Sequence, residues 1–453
     1  MKKIKLLILS HSSELGGAER SMIDLLDYWQ QKGLIEPHLI VRIPLKNMVP
    51  ELRKRKWKYY PIYYTNWSQR SPSSRAEDVF RNARENAKAV AAIEKLIDTI
   101  KPDMVMTNTI VSPWAAIAAA YKGLPHVWFV REYGDIDHQH IFELGREKMY
   151  EDINALSDIV VANSNTLANH VKKHVAKEKV RTLYTPFNIE LLDRKINQPA
   201  NNPFKLEDSL KLVVTGRIAP SKGQDEAARA VGELKKAGHV AELCIIGTPA
   251  DPADSDVLNS VINNYDIADR VIFLGHQSNP LAILKHADVG IMASQQEAFG
   301  RVTFEYMVTG RPVVGANSGA TPELIVNGKT GLLYEKNNTT DLVKQLSKYV
   351  VDRSLLVAHG QNARERAETM LRGKNSADNL YESLRPLLDC DTGRPRPLNF
   401  SRKWLDYPLV AQAYIDESKV MSFKRLFTIK LRALAKFLYL KIIARFNKRN
   451  GGK

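Results

Sequence analysis

The sequence predicts an α/β protein with two doubly wound parallel-sheet domains, a cleft between them and a basic C-terminal appendage. Short apolar runs rich in β-branched residues alternate with longer helical stretches in both halves of the chain, as in parallel sheets covered on both faces. The polar segment 197–203, which contains two prolines, separates the two series and is typical of a linker. A length of 453 residues also exceeds what one hydrophobic core normally organises.

The predicted strands fall into two series. Those of the first half are Lys3–Ser10, His38–Arg42, Met104–Thr107, His126–Val130, Ile159–Ala162 and Val180–Leu183, with helices such as Gly17–Gln31, Pro113–Tyr121 and Asn165–His174 between them. Those of the second half are Leu210–Thr215, Glu242–Ile246, Val271–Leu274, Val289–Met292 and Pro312–Val314. We therefore expect domains at residues 1–196 and 204–386 and an extension at 387–453. In such sheets ligands bind at the carboxyl ends of the strands.

Composition places the chain among soluble globular proteins, with 44% hydrophobic and 26% charged residues. The apolar run that follows Met1 is too short for a signal peptide, and we interpret it as the first buried strand. No uncharged apolar run approaches the roughly 20 residues that span a bilayer. Two cysteines, Cys244 and Cys390, cannot form a disulfide framework and favour a reducing compartment. The expected location is the cytoplasm.

Positive charge is concentrated at the C-terminus. The net charge is +16, and residues 421–453 contain ten Lys or Arg and no Asp or Glu. This basic tail predicts attachment to an anionic membrane surface, which places the protein peripherally on the inner face of the cell membrane. The alternative is a tail that packs on its own protein or on a protein partner. Nucleic acid is disfavoured, because no nucleic-acid-binding motif accompanies the charge.

A second basic stretch, residues 52–60, is followed by aromatic residues. Trp57, Tyr63, Tyr64 and Trp67 mix with this charge in a way that suits the headgroup region of a membrane. The alternative is a solvated helix followed by an edge strand.

Two loops carry residues suited to phosphate. Gly16 and Gly17 follow the first strand and open a helix, so that backbone can approach a ligand at a helix N-terminus. Arg217 and Lys222 follow strand Leu210–Thr215 and suit a diphosphate, Arg as a fork and Lys as a mobile point charge. The alternatives are a tight turn that touches nothing and an ordinary solvated loop.

The stretch 289–314 is the most informative, because it predicts a strand, a loop, a helix and a strand in succession. Glu297 lies on the loop, and Glu305 follows eight positions later on the helix, which begins near Arg301 or Val302. Carboxylates so placed can accept hydrogen bonds from sugar and ribose hydroxyls, and the helix N-terminus favours a phosphate. Two glutamates alone would be commonplace exposed acids.

These motifs together resemble glycosyltransferase family 4, the retaining GT-B enzymes, over roughly residues 3–385. The residues that carry the resemblance are Gly16-Gly17-Ala18-Glu19, Gly216-Arg217 with Lys222, Glu297-Ala298-Phe299-Gly300 with Glu305, and Gly310-Arg311-Pro312-Val313-Val314. The resemblance implies the GT-B fold, with two facing Rossmann-like domains that bind the acceptor in the first and a nucleotide sugar in the second. It also implies anomeric retention without a bound metal.

The resemblance assigns roles to individual residues. Arg217 and Lys222 would stabilise the leaving diphosphate. The phosphates would be lined by Phe299, Gly300, Arg301 and Val302, and approached from the other domain by Gly16 and Gly17. Glu305 would hold the ribose, and Glu297 the transferred sugar.

The sequence departs from the family at two places. Ile246-Gly247-Thr248-Pro249 stands where Gly-x-Gly is frequent, and Arg131-Glu132 stands where many members have a His. Arg131 is the candidate for the role of that His, with His138 or His140 of the following loop as alternatives. A further alternative is a structural pair between Arg131 and Glu132.

We therefore expect a glycosyltransferase that moves a sugar from a nucleotide-diphosphate sugar, without a metal cofactor, to a glycan or lipid-linked acceptor in cell-surface polysaccharide or glycolipid synthesis. One alternative is a sugar-nucleotide epimerase or phosphorylase on the same architecture, since fold alone does not fix chemistry. The other is a nucleic-acid-binding protein.

Overall fold

The computed structural model describes residues 3–388 apart from 70–75, 139, 143–144, 250 and 374–375. The strands are β1 (Ile4–Ser10), β2 (Ile35–Arg42), β3 (Lys58–Ile62), β4 (Ser68–Gln69), β5 (Met104–Asn108), β6 (His126–Val130), β7 (Ile141–Phe142), β8 (Ile159–Ala162), β9 (Val180–Thr182), β10 (Leu210–Thr215), β11 (Ala241–Ile246), β12 (Val271–Gly275), β13 (Val289–Met292), β14 (Val313–Ala316) and β15 (Gly331–Tyr334).

Helices connect nearly all of these strands. They are α1 (Gly17–Gln31), α2 (Met48–Lys54), α3 (Ala76–Ile100), α4 (Trp114–Tyr121), α5 (Asp135–His138), α6 (Arg146–Leu156), α7 (Asn165–Val171), α8 (Ile189–Ile196), α9 (Gln224–Lys236), α10 (Asp256–Tyr265), α11 (Leu281–Leu284), α12 (Arg301–Val308), α13 (Thr321–Leu324), α14 (Thr339–Val351), α15 (Ser354–Arg372) and α16 (Ala377–Leu384).

The strands form two parallel sheets, one for each half of the chain. The first has the order β3-β2-β1-β5-β6-β8-β9 and the second the order β12-β11-β10-β13-β14-β15. A small antiparallel pair, β4 with β7, lies outside both. We call the two halves the first and the second domain. The predicted fold class, two doubly wound parallel-sheet domains, is confirmed.

Both faces of each sheet are buried, which explains why the strands read as continuous apolar runs. In β1, Leu7 and Leu9 point to the cluster under α3, α4, α6 and α7, whereas Leu6 and Ile8 point to the cluster under α1 and α2. In β10, Leu212 packs under α9 and α14, and Val213 packs on the opposite face. Alternate side chains of a strand therefore pack into two different hydrophobic clusters, one on each face of the sheet.

The last described helix, α16, follows the second domain in the chain but packs on the first. The indole N–H of Trp29 on α1 donates to the carbonyl of Ala377 at 3.0 Å. The hydroxyl of Tyr28 and the ammonium of Lys32 both bind the Asp378 carboxylate at 2.8 Å. The expected range of the second domain, 204–386, thus contains a helix that belongs to the core of the first.

Strand β15 was not predicted, β3 was predicted only as an alternative, and β14 begins after Pro312 rather than at it. Both β3 and β15 lie at sheet edges.

The stretch 52–67 forms the end of α2 and the edge strand β3, as the structural alternative predicted. Trp57, Tyr64 and Trp67 are buried in the core of the first domain, so the interpretation of these three rings as membrane-interface residues is wrong. Tyr63 is the exposed member of the group.

The basic tail 421–453 lies outside the described residues. Within the part of the chain that is described, none of the helices combines the length and the apolar composition that crossing a membrane requires.

Candidate active site

The cleft lies at the point in each sheet where the strand order reverses. In each sheet the strand order reverses beside the first strand of the domain, between β1 and β5 and between β10 and β13. Loops at the carboxyl ends of these strands converge on a cavity of about 310 Å³. Among the residues that line it are Gly17, Ser21, Arg131, Glu132, Asp137, His138, Asn163, Lys222, Glu297, Phe299, Gly300 and Arg301.

Gly17 is the first residue of α1 and faces the cavity. A Cβ atom at Gly17 would meet no atom within 4 Å, whereas one at Gly16 would lie 3.0 Å from the Glu19 carboxylate. The N-terminus of a fifteen-residue helix therefore opens onto the cleft, where its N–H groups favour an anion. Gly16 supports this turn and does not line the cavity.

The loop after β10 is shaped by glycines. Gly223 has a left-handed backbone, with φ +70°, and a Cβ there would overlap the carbonyl of Ala293. A Cβ at Gly247 would likewise overlap the Gly216 carbonyl oxygen. The loop after β11, where the family often has Gly-x-Gly, thus packs directly against the loop that carries Lys222.

Lys222 and Glu297 meet in the cavity. The Lys222 ammonium donates to Glu297 Oε1 at 2.6 Å. The backbone of Glu297 is fixed by the 319–320 segment. The Glu297 carbonyl accepts the N–H of Ala320 at 2.9 Å, and a Cβ at Gly319 would overlap the Glu297 backbone. Burial disfavours ionisation, but Lys222, with a hydrogen bond from Ser294, outweighs it and holds the pKa of Glu297 below its usual range.

Helix α12 begins at Arg301, immediately after Gly300, whose φ is +86°. Phe299 lines the cavity, and its largely buried ring packs near Phe304 and Tyr184. Glu305 lies one turn along the helix and accepts the Arg301 Nε–H at 3.2 Å.

Not every predicted residue lines the main cavity. Val302 lines an adjoining cavity of about 220 Å³ together with Gly17, Lys222 and Glu297. Glu305 lies outside both linings and reaches the cleft through Arg301. Arg217 is exposed beside the cleft, and its backbone carbonyl accepts the Gln224 side-chain amide at 3.0 Å.

Arg131 and Glu132 follow β6 and bind different partners. Arg131 Nε donates to Asn108 Oδ1 at 2.5 Å, and the backbone N–H of Ile110 donates to Glu132 Oε1 at 2.9 Å. Burial lowers the pKa of Arg131 to about 10. Burial also raises the pKa of Glu132 to about 7, with nearby His11 opposing the shift. Both residues line the cavity, and each favours the charged form of the other although their hydrogen bonds go to other partners.

The two histidines of the following loop differ in position. His138 lines the cavity, whereas His140 lies 3.4 Å from the Ser68 hydroxyl through Nδ1. Burial lowers the pKa of His138, with Asp137 acting against the shift. The neutral ring is therefore the favoured form at neutral pH.

The sequence did not predict two carboxylates, Asp24 and Glu323, as residues that bridge the domains. Arg301 Nη1 donates to Asp24 on α1 at 2.8 Å. The Glu323 carboxylate accepts the backbone N–H groups of Asn165 and Thr166 at 2.8 and 3.0 Å, so it caps α7 of the other domain. Asp24 and Glu323 carry no local sequence signal, because each is recognised only by a partner more than 150 positions away.

The cleft thus presents two helix N-termini, a lysine and an arginine to one small volume, beside carboxylates that can accept hydroxyl hydrogen bonds. This arrangement between two Rossmann-like domains is that of a GT-B protein, with a cleft whose helix N-termini and cations suit an anionic ligand.

The chain belongs to glycosyltransferase family 4. Residues 15–191 match the sequence family described as Glycosyltransferase Family 4, and residues 195–366 match the family described as Glycosyl transferases group 1.

Similar proteins include the N-acetyl-alpha-D-glucosaminyl L-malate synthase of Bacillus anthracis, 27% identical over 50% of this chain and 59% of that protein. The D-inositol 3-phosphate glycosyltransferase of Rhodococcus jostii is 30% identical over 56% of this chain and 57% of its own length. The chain therefore matches less than two thirds of either relative.

Solved structures show the same fold. HepE of Anabaena in complex with UDP and glucose superimposes with a TM-score of 0.65 at 19% identity, over 85% of this chain and 99% of that one. A glycosyltransferase of Rickettsia africae gives a TM-score of 0.66 at 20% identity, over 86% and 98%. The predicted GT-B fold is thus confirmed.

Proposed function

We propose that this protein is a retaining, metal-independent glycosyltransferase. It transfers a sugar from a nucleoside-diphosphate sugar to a glycan or lipid-linked acceptor in cell-surface polysaccharide or glycolipid synthesis. The observation that carries the proposal is the convergence of Lys222, Glu297 and the N-termini of α1 and α12 on one interdomain cavity.

The donor's diphosphate lies between these groups in the proposed complex. The N–H groups at Gly17 and Gly300 and the cations of Lys222 and Arg301 surround the position where negative charge develops as the diphosphate leaves. Glu297 accepts hydrogen bonds from hydroxyls of the transferred sugar. Glu305 holds the ribose after Arg301 moves from its carboxylate.

The proposed reaction is a front-side displacement. The acceptor oxygen forms a bond to the anomeric carbon on the face from which the diphosphate departs, and the bond from that carbon to the phosphate oxygen breaks. The acceptor hydroxyl gives its proton to an oxygen of the leaving diphosphate. The acceptor enters beside Arg131, Asp137 and His138, which line the first-domain side of the cavity.

Metal independence is part of the proposal because Lys222 and Arg301 supply the charge that neutralises the diphosphate. Within the described residues no three His, Cys, Asp or Glu side chains are grouped so that they could hold a metal ion. Transfer should therefore persist in excess EDTA, and an obligatory requirement for added Mg²⁺ or Mn²⁺ would contradict this part.

The donor can be found by thermal unfolding against UDP-, GDP- and ADP-sugars, because a ligand at 100 times its Kd stabilises by about 2.7 kcal/mol. With the donor known, Lys222→Ala and Glu305→Ala should abolish transfer while the folded circular dichroism spectrum is kept. Lys236→Ala is the matched control, since Lys236 is an exposed lysine paired with Glu233 away from the cleft. Unchanged turnover of the two site variants would refute the assignment.

Retention is tested by the anomeric configuration of the product, measured by NMR on the first turnover products. An inverted linkage would exclude the front-side mechanism. The epimerase alternative predicts a changed sugar nucleotide without any acceptor product, and membership in glycosyltransferase family 4 disfavours it.

We also propose that the basic tail 421–453 holds the protein on the inner face of the cell membrane. Each Lys or Arg close to an anionic leaflet contributes on the order of 1 kcal/mol. Deleting residues 421–453 should abolish co-sedimentation with vesicles that contain phosphatidylglycerol. Undiminished co-sedimentation would move the assignment to the exposed basic residues of the 52–60 stretch.

A further inference from the structure

The guanidinium of Arg301 spans the cleft and is bound from both domains. Its Nη1 donates to Asp24 Oδ2 at 2.8 Å and to the Ser21 hydroxyl at 3.3 Å, both on α1 of the first domain. Its Nε donates to Glu305 at 3.2 Å within the second domain. The guanidinium also lies over the Phe187 ring, 4.4 Å from the ring centroid.

Two carboxylates, Asp24 and Glu305, thus bind the Arg301 cation in the absence of a ligand. Burial disfavours the cation, but the two carboxylates outweigh burial and raise the pKa of Arg301 above its usual range. The Asp24 and Glu305 side chains are 26% and 15% exposed, although neither residue lines the cavity. Arg301 itself lines the cavity, at the N-terminus of α12.

A diphosphate that binds Arg301 through Nη1 would compete with Asp24 for that nitrogen. A guanidinium donates in the fixed directions of a planar fork, so one edge serves one oxyanion group at a time. The phosphate also draws on Lys222 and on the helix N-terminus, which Asp24 cannot do. The more highly charged and better surrounded anion therefore displaces the carboxylate.

We propose that Asp24 is a latch residue, which holds Arg301 across the empty cleft and is displaced from it by the diphosphate of the donor. The inference rests on the proposed function, because it takes a nucleoside diphosphate as the ligand. Asp24 lowers donor affinity, since its bond to Arg301 must break before the phosphate binds. It also couples donor binding to the approach of the two domains, because Asp24 and Arg301 lie on opposite sides of the cleft.

The latch predicts the sign of a substitution, which a merely structural ion pair does not. UDP binding is measured by calorimetry on the full chain, and GDP or ADP takes its place throughout if thermal unfolding selects one of these. Asp24→Asn keeps the side-chain shape and should tighten UDP binding roughly three- to tenfold, a range reduced from that of a buried charged hydrogen bond because the pair is partly exposed. Arg301→Met keeps an aliphatic chain over Phe187 and should weaken UDP binding about tenfold or more.

Two further variants complete the test. Adding Asp24→Asn to Arg301→Met should have no effect, because the competing residue acts only through Arg301. Glu323→Gln is the matched control: it also weakens an interdomain carboxylate contact, but Glu323 lies outside the cavity lining and its substitution should leave UDP affinity unchanged.

The outcomes separate the latch from the proposed function. The first outcome concerns a wild-type protein that binds UDP with an affinity that depends on Lys222. If the Asp24→Asn variant then binds UDP more weakly or equally well, the latch alone is overturned. Failure of the wild-type protein to bind UDP, GDP or ADP overturns the proposed function and the latch with it. Equal tightening by Asp24→Asn and Glu323→Gln also overturns the latch, because general loosening of the domains would then be the cause.

Discussion

The ion pair between Lys222 and Glu297 can be measured by a double-mutant cycle. Its two atoms lie 2.6 Å apart, and the side chains are 30% and 17% exposed. Lys222→Met removes the cation and leaves the carboxylate of Glu297 largely buried. Glu297→Gln removes the opposite charge but leaves an ammonium on a flexible stem that can extend towards water.

The expected magnitude lies between two limits. Breaking a fully buried pair costs about 3–5 kcal/mol, and an exposed pair contributes about 0.2–1 kcal/mol. With this intermediate exposure we expect Lys222→Met to cost about 1–3 kcal/mol of unfolding free energy. The double variant should be less destabilised than the sum of the single variants, with a coupling of about 1–2 kcal/mol.

The pH dependence has a defined sign. The folded pKa of Glu297 lies below its usual range, so its ionisation stabilises the fold above the unfolded-state pKa of about 4.3. That contribution is lost as the pH falls through the folded pKa. The cost of Lys222→Met should therefore be larger at pH 7 than at pH 4.

The assay is urea-induced unfolding followed by far-UV circular dichroism. Tryptophan fluorescence is unsuitable because the buried tryptophans, Trp29, Trp57, Trp67, Trp114 and Trp128, all lie in the first domain, whereas the ion pair lies in the second. Lys236→Met is the control for removal of an exposed lysine. A coupling below about 0.3 kcal/mol at pH 7, the level at which independent sites add, would refute the reasoning.

Three further predictions concern stability. In urea unfolding, Gly223→Ala should lower the unfolding free energy by at least about 2 kcal/mol more than Gly238→Ala does. Both glycines have left-handed backbones, but only a Cβ at Gly223 overlaps a carbonyl group. Equal losses of stability would contradict this prediction. Glu132, whose pKa burial raises to about 7, should make the stability of the wild-type protein fall relative to Glu132→Gln by on the order of 3 kcal/mol as the pH rises from about 4.5 through 7. An equal pH dependence of the two proteins would exclude a contribution of the buried acid. In thermal or urea unfolding, Glu323→Ala should cost about 1.5–3 kcal/mol of unfolding free energy, because the cap on α7 is lost. Glu323→Gln should cost less, because an amide oxygen remains to accept the hydrogen bonds. A larger cost for Glu323→Gln than for Glu323→Ala would argue against the capping role.

Much of the fold was predictable because it depends on local pattern. Central strands such as β1 and β10 are buried on both faces, so nearly every position is apolar and the strand stands out from the helices around it. The edge strand β3 lacks that signal because none of its residues is buried, whereas β15 is mostly buried but has only four residues. For Trp57 the sequence suggested exposure where the structure shows burial. Its basic neighbours lie on an exposed turn, but the aromatic ring packs into the core.

The candidate site divides in the same way. The loops that carry Gly17, Lys222 and Glu297 were predictable because each follows a strand within the same short segment of sequence. Glu132 could not be recognised as a buried acid, because its raised pKa comes from burial among residues of other strands. The role of Gly247 was also hidden, since the atom that excludes a side chain there belongs to the Gly216 loop.

By itself the sequence determined the two α/β domains, the glycine turns and the pair of carboxylates, because periodicity and backbone freedom are properties of neighbouring residues. Only the tertiary structure decided how the halves face each other, through Arg301 with Asp24, Glu323 with the N-terminus of α7, and α16 on the first domain. The physical reason is that these bonds join residues far apart in the chain, whose approach depends on the packing of both cores rather than on any local preference.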